Sequence, residues 1–178
     1  GNFRIERFVV SEEDARFQNL RAAISFSNRG QYITPGSYTR LMRGNCVVMS
    51  DTPSEMRDHE YFVEQAKGNV LISGLGLGMV VVALLDKWDV KSVVVNEISQ
   101  DVIDLVSLRI LNVRLQINCI DAFTYKPPKG FKFDSIWHDI WDSICSDNLP
   151  EMSILHRKYG RKTDWQGSWN RARLKNHD

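Results

Sequence analysis

The stretch Asn69–Met79, which reads NVLISGLGLGM, decides the fold of this chain. Its first half is a continuous apolar run ending at Ser73, as is typical of a strand buried on both faces of a parallel sheet. Three glycines at alternate positions follow, and the apolar segment from Met79 to Trp88 then predicts a helix packed on a sheet. A glycine-rich turn between a strand and a helix lets the backbone approach a ligand and points helix N–H groups at it. We therefore expect a ligand site at this turn.

The residues after the turn continue to alternate between strand and helix patterns. Three further strands are predicted, at Val93–Glu97, Leu115–Ile120 and Phe133–Asp139. A helix capped by Ser99 separates the first two of them. This alternation implies right-handed crossovers and a parallel sheet, so the predicted fold class is α/β. After Asp142 the sequence shows a helical pattern at Leu149–Tyr159 and no strand-like run. This predicts a sheet truncated after its fourth strand, unless the N-terminal hairpin supplies edge strands.

Two helices and a β-hairpin are predicted in front of this core. Ser11 with Asp14 three residues later starts the first helix, and Gly30 follows its end. The predicted apolar face of this helix is Phe17, Leu20 and Ile24. Residues 31–50 carry turn signals at Pro35-Gly36 and Gly44-Asn45 between β-prone residues, which predicts the hairpin.

The second helix has the clearer start signal. Thr52-Pro53-Ser54-Glu55 is typical of a capping box with proline at the first helical position, and Gly68 is the predicted stop after Lys67. Its predicted inner face is Met56, His59, Val63 and Ala66. The chain is thus divided into an N-terminal extension (1–51), an α/β core (52–150) and a basic C-terminal helical tail (151–178).

Composition excludes several classes of protein. The 178 residues carry a formal net charge of +1, so bulk charge favours no particular partner. The longest apolar run is Met79–Leu85, far short of the roughly 20 residues that span a membrane, and no basic-then-apolar leader opens the chain. Cys46, Cys119 and Cys145 are odd in number and far apart, which fits neither a disulfide framework nor a zinc site. We expect a cytoplasmic protein without a membrane segment and without a bound metal.

The spacing of the glycines and the position of the next acidic residue indicate which class of ligand the turn binds. A dinucleotide fingerprint needs its third glycine at the position that Met79 occupies, so the spacing points to a different nucleotide-like ligand. Glu97 ends the second strand, where a carboxylate is placed to accept hydrogen bonds from both hydroxyls of a ribose. The plainer alternative is a tight strand–helix turn with an unrelated surface glutamate.

The glycine turn, together with Asn96-Glu97-Ile98-Ser99 at the end of the second strand, resembles the S-adenosylmethionine site of class I methyltransferases. More narrowly, residues 52–145 resemble the spermidine-synthase-like (aminopropyltransferase) branch of that superfamily. The resemblance implies three parts of a cofactor site: a methionine end, a ribose end and an adenine end. It assigns them in that order to Gly74, Gly76 and Gly78; to Glu97 with Ile98; and to Asp121 with Ala122.

The resemblance also assigns a pair of aspartates, Asp139 and Asp142, at the end of the fourth strand. Two carboxylates at the carboxyl edge of the sheet favour a cationic or amine-bearing small-molecule acceptor, with Asp139 as the candidate base. The alternative is that Asp142 merely caps the following helix. The expected activity is methyl transfer from S-adenosylmethionine. An aminopropyltransferase and a binding module without turnover are the other hypotheses.

The remaining polar and aromatic residues carry weaker predictions. His59 is expected to be a hydrogen-bonded packing residue, and His138 to point away from Asp139. Trp137 and Trp141 could stack on a ligand or pack in the core, and Trp165 with Trp169 is expected to form one face of a tail helix or an oligomer contact.

The basic tail itself has two interpretations. Seven of its residues are basic: Arg157, Lys158, Arg161, Lys162, Arg171, Arg173 and Lys175. Such a run could bind phosphate backbones, but no nucleic-acid motif accompanies it. A solvated helix face is therefore favoured, and nucleic acid is not an expected partner.

Overall fold

A five-stranded parallel sheet forms the centre of the protein in the computed structural model, which describes residues 2–24 and 32–175. The strands are β1 (Phe3–Val10), β2 (Gly36–Arg43), β3 (Cys46–Ser50), β4 (Gly68–Ser73), β5 (Val90–Glu97), β6 (Leu115–Cys119), β7 (Phe133–His138) and β8 (Thr163–Ser168). The helices are α1 (Glu12–Ile24), α2 (Pro53–Gln65), α3 (Met79–Leu85), α4 (Gln100–Val106), α5 (Leu149–Tyr159) and α6 (Arg171–Lys175). The central sheet has the order β6-β5-β4-β7-β8, and its first four strands along the chain confirm the prediction.

The expected truncation after the fourth strand is wrong, because β8 adds a fifth. It pairs in parallel with β7 from Phe133↔Thr163 to His138↔Ser168. Its sequence, TDWQGS, has little intrinsic preference for a strand. This segment becomes a strand because its backbone forms hydrogen bonds with the open edge of β7. The tail is consequently a helix, a strand and a short helix rather than a helical segment alone.

The N-terminal extension is a three-stranded antiparallel sheet with a helix, and not only a hairpin. The predicted β2–β3 hairpin is confirmed, with Gly44 at its turn in a left-handed conformation. Strand β1 was not predicted, although Phe3 and Ile5 alternate with charged residues. It pairs with β2 over its whole length, from Phe3↔Arg43 to Val10↔Gly36.

Helix α1 starts as predicted but buries a different face. The Ser11 hydroxyl accepts the Asp14 N–H at 3.1 Å and donates to the Asp14 carboxylate at 2.6 Å. The buried residues are Ala15 and Ala22, whereas Phe17, Leu20 and Ile24 are exposed. The predicted apolar face is therefore wrong, because the residues that this helix buries are two alanines. The predicted stop, Gly30, lies outside the described residues.

Helix α2 begins at Pro53 as predicted, but the capping box does not form. The Thr52 side chain makes no capping hydrogen bond. Glu55 instead accepts the Ser50 N–H at 2.6 Å and the Ser50 hydroxyl at 2.7 Å, which ties the helix to the end of β3. The inner face contains His59 and Phe62, while Met56 is half exposed.

Aromatic stacking joins α2 to the central sheet. Phe62 lies 4.9 Å from Trp137 and 5.8 Å from Trp165, with nearly parallel rings in both pairs. Of the two predicted roles of Trp137, core packing is the one observed. The expected helical face of Trp165 and Trp169 is wrong, because Trp165 lies on β8 and Trp169 follows that strand.

Two further observations concern the chain as a whole. The three cysteines are exposed and form no disulfide. In the parts of the chain that the structure describes, every helix is too short or too polar to cross a membrane.

Candidate functional site

A cavity of about 850 Å³ lies at the carboxyl edge of the central sheet, where open α/β sheets place their ligands. Eight of the predicted site residues line it: Gly74, Gly76, Glu97, Ile98, Asp121, Ala122, Asp139 and Asp142. These residues follow four different strands, and the parallel register of β4 with β5 and β7 brings them to one edge. The N-terminal sheet and α2 supply the opposite wall.

The glycine turn follows β4 and has left-handed backbone at all three glycines. A Cβ at Gly74 would lie 1.9 Å from the Asp139 carbonyl oxygen, so only glycine lets β4 and β7 end side by side. Gly78 does not line the cavity. Its missing side chain instead makes room for Ile110, whose Cδ1 would lie 2.4 Å from a Cβ there. The first two glycines thus face the ligand site, and the third serves the packing of α3.

Glu97 is buried beside this turn and held by two backbone groups. Its Oε2 accepts the Leu75 N–H at 2.9 Å, and its Oε1 accepts the Ser99 N–H at 2.8 Å. Each carboxylate oxygen has a second lone pair, so both can still accept a hydrogen bond from a ligand hydroxyl. The two hydrogen bonds fix the orientation of the carboxylate.

The loop after β6 is anchored from the C-terminal helix α5. Asp121 Oδ1 accepts the Phe123 N–H at 2.7 Å, which closes a tight turn. The Lys158 ammonium donates to the carbonyls of Ala122 and Phe123 at 2.8 and 2.6 Å. The Tyr159 hydroxyl donates to the Ala122 carbonyl at 3.0 Å. The basic tail is therefore not only a solvated face, since Lys158 holds a wall of the cavity.

Asp139 is the most strongly perturbed carboxyl group of the cavity. Burial, followed by the negative charges of Glu55 and Asp58, raises its pKa from 3.8 to about 7. Its Oδ2 lies 3.6 Å from His59 Nε2, and burial lowers the pKa of that imidazole. A neutral histidine therefore stands beside a carboxyl group that titrates near neutral pH.

Asp142 is held differently, although it lies only three residues further on. Its carboxylate forms an ion pair with the guanidinium of Arg43, at the end of β2. Both side chains are close to half exposed. Asp139 is thus buried near other carboxylates, whereas Asp142 is paired with an arginine of the N-terminal sheet.

His59 combines predicted and unpredicted features. It is buried and stands edge-on to Trp137, as a packing residue would. However, its Nδ1 is buried without a hydrogen-bond partner, so the predicted packing role is confirmed and the predicted hydrogen bond is not observed. His138 faces away from the cavity, as predicted. Its Nδ1 lies 3.0 Å from the Ser73 hydroxyl, and burial, with the neighbouring His156 and Lys158, lowers its pKa to about 3.

Several lining residues were missed by sequence reasoning. They are Arg43, Met49, Glu55, Asp58, Trp169 and Arg173. Asp58 accepts hydrogen bonds from Trp169 Nε1 at 3.2 Å and Asn170 Nδ2 at 2.8 Å, which joins α2 to the end of β8. A signal that the sequence does contain is the position of Glu55 and Asp58, four and one residues before His59. His59 itself is on the predicted inner face of α2.

Comparison with known proteins finds similarity in structure only. No protein-family model matches the chain, and no curated protein matches it in sequence. The N-methyltransferase NodS from Bradyrhizobium japonicum, solved with S-adenosyl-L-homocysteine, is similar in structure with a TM-score of 0.51 and 16% identity. That match covers 64% of this chain and 58% of NodS.

A dimethyladenosine transferase from Plasmodium falciparum matches with a TM-score of 0.45 and 22% identity, over 60% of this chain and 37% of that one. The chain therefore spans less than two thirds of the length of either protein. At 16% identity, the likeness to NodS shows that this chain shares its Rossmann-like α/β fold.

Proposed function

We propose that this protein binds S-adenosylmethionine in the cavity and transfers its methyl group to an amine-bearing small molecule. One observation carries the proposal: a single cavity joins the glycine turn, Glu97, the Asp121 loop and Asp139. In this proposal the α/β core (52–150) holds the cofactor, strands β1–β3 of the N-terminal extension form the facing wall, and Lys158 and Tyr159 of the tail anchor the Asp121 loop.

The residues present fit the cofactor. A volume of about 850 Å³ is within the range of pockets for ligands of this size. Gly74 and Gly76 have no side chain between the turn and the ligand, and Glu97 keeps free lone pairs for the ribose hydroxyls. Asp121 and Ala122, with Ile98 on the same wall, would hold the adenine ring.

When bound, S-adenosylmethionine would supply an electrophilic methyl group on its sulfonium sulfur. An acceptor that arrives as an ammonium ion must lose a proton before its nitrogen can accept the methyl group, so the protein must remove that proton and hold donor and acceptor in line. Asp139 is placed to take that proton, because its pKa of about 7 leaves it partly ionised at neutral pH. The carboxylates of Glu55 and Asp58 favour an acceptor that arrives as an ammonium ion.

The deciding experiment combines binding and turnover. The full chain is titrated calorimetrically with S-adenosylmethionine, its decarboxylated form and S-adenosylhomocysteine. It is then incubated with methyl-labelled S-adenosylmethionine and a panel of primary amines, and the products are identified by mass. We expect binding of S-adenosylmethionine and S-adenosylhomocysteine, with label transferred to amines. Transfer should increase with pH through about 7 and should be lost in Asp139→Asn.

Other outcomes select the other hypotheses. Preference for the decarboxylated donor, with transfer of its aminopropyl group, would identify an aminopropyltransferase. Binding without transfer to any amine would identify a module that has lost turnover. If none of the three compounds binds, the proposed function is wrong.

A further inference from the structure

The Arg43–Asp142 ion pair joins two parts of the cavity wall that are distant in sequence. Arg43 ends β2, directly opposite Phe3 of β1, and its guanidinium lies 6.0 Å from the centre of the Phe3 ring. Both residues line the cavity. The cross-strand register and the cation–π contact hold the guanidinium against the N-terminal sheet. Asp142 therefore meets a positive charge in a fixed position.

The two aspartates consequently offer an incoming cation different environments. A cation approaching Asp142 meets the guanidinium that already neutralises this carboxylate, and like charges at short range repel. Asp139 faces the opposite situation, because its charged neighbours Glu55 and Asp58 are both acidic. One cavity thus contains a carboxylate paired with a cation, Asp142, and an acidic cluster, which consists of Asp139, Glu55 and Asp58.

The carboxylates of Glu55 and Asp58 are held in place by neutral hydrogen-bond donors. Glu55 already accepts two hydrogen bonds from Ser50, and Asp58 accepts hydrogen bonds from Trp169 and Asn170. These donors are neutral, so an ammonium group beside Asp139 still meets acidic neighbours, Glu55 and Asp58. A second ammonium group on the same molecule would meet Asp142, whose carboxylate is already paired with Arg43.

We propose that Arg43 is a specificity-determining residue, which by pairing with Asp142 makes the cavity select acceptors with one ammonium group over acceptors with two. This inference rests on the proposed function, since it defines the acceptor class of the same site. Arg43 acts here on the choice of acceptor and does not take part in the transfer step.

The test compares two amines of equal chain length, 1-aminobutane and 1,4-diaminobutane. Each is titrated calorimetrically into the full chain saturated with S-adenosylhomocysteine, so the result does not depend on turnover. In Arg43→Met, the affinity for the diamine relative to the monoamine should rise about fivefold, the effect of one partly exposed ion pair. Arg43→Gln serves as a second neutral variant, and melting temperatures check that both fold.

Three further variants test whether the charge of Arg43, paired with Asp142, causes the change in the affinity ratio. Arg43→Lys keeps the positive charge and should retain the wild-type ratio. The double variant Arg43→Met/Asp142→Asn removes the carboxylate as well and should lose the gain for the diamine. Arg40→Met is the matched control, because Arg40 lies on the same strand but pairs with Glu6 and does not line the cavity.

The outcomes separate this inference from the proposed function. If the wild type binds neither amine, the amine-acceptor proposal fails, and the inference fails with it. If the amines bind but folded Arg43→Met and Arg43→Gln keep the wild-type ratio, the role of Arg43 is wrong and the proposed function stands. An equal gain for both amines would also overturn the role of Arg43, since it would show a general charge effect.

Discussion

The sulfur of Met49 lies 3.2 Å from the backbone nitrogen of Leu77 and accepts its N–H, which fastens the N-terminal sheet to the glycine turn. The same sulfur would lie 2.3 Å from a Cβ at Gly76. Since Met49 and Gly76 both line the cavity, the end of β3 is a part of the candidate cofactor site. The N-terminal extension therefore contributes to the site and is not an independent appendage.

Gly76→Ala should lower both the melting temperature and the affinity for S-adenosylhomocysteine. The new Cβ meets the Met49 sulfur, and the left-handed backbone at φ 53° costs an alanine roughly 1–2 kcal/mol. Adding Met49→Ala should recover the part of the loss due to the steric clash. Gly130→Ala is the control for backbone strain alone, because φ there is 80° and no atom lies within 4 Å of a Cβ. Equal losses in Gly76→Ala and Gly130→Ala would contradict this contact.

Glu97→Gln should weaken binding of S-adenosylhomocysteine by about tenfold or more. The change keeps the shape of the side chain but removes its charge, and hydrogen bonds to a charged group contribute about 1.5–3 kcal/mol. Calorimetric titration measures the effect. The control is Glu60→Gln on the exposed side of α2. Unchanged affinity in Glu97→Gln would remove Glu97 from the cofactor site.

Lys158→Met should reduce affinity for S-adenosylhomocysteine several-fold, although Lys158 does not line the cavity. Without the ammonium, the Phe123 carbonyl loses its side-chain donor and the Ala122 carbonyl keeps only the Tyr159 hydroxyl, so the Asp121 loop loses an anchor. Amide hydrogen exchange in residues 121–125 should increase at the same time. The matched control is the exposed neighbour Arg157→Met, which should change neither quantity. Loss of affinity without faster exchange in the loop would argue against this positioning role.

Asp139 should make the folded protein less stable as pH rises. Its pKa is about 7 in the folded state and 3.8 in the unfolded chain, so between these values the folded state binds more protons. The free energy of unfolding therefore decreases as pH increases from about 4 to about 7. Asp139→Asn removes this titration and should flatten the decrease, as measured by urea unfolding at several pH values. Asp86→Asn, an exposed carboxylate after α3, is the control, and an identical slope in Asp139→Asn and the wild type would contradict the assignment.

The central core was predictable because its signals are local. The apolar run of β4, the alternate glycines and the Ser99 cap each depend on a few neighbouring residues, and Ser99 accepts the Val102 N–H as expected. Parallel pairing then follows from strand–helix alternation, which places Glu97, Asp121 and Asp139 at one sheet edge without further information.

Strand β8 and the state of the two aspartates could not be predicted in this way. TDWQGS becomes a strand only because β7 leaves an edge to pair with, which is a property of the folded sheet. Asp142 meets Arg43 across 99 positions of sequence, and Asp139 is buried near two acidic residues of α2, Glu55 and Asp58.

The sequence by itself therefore determined the parallel core, the glycine turn and the carboxylates at its edge, since short-range patterns encode them. Only the tertiary structure decided which aspartate is buried and which is neutralised. The pKa and the charge of a carboxyl group depend on burial and on neighbouring charges, and these neighbours come from elements far apart along the chain.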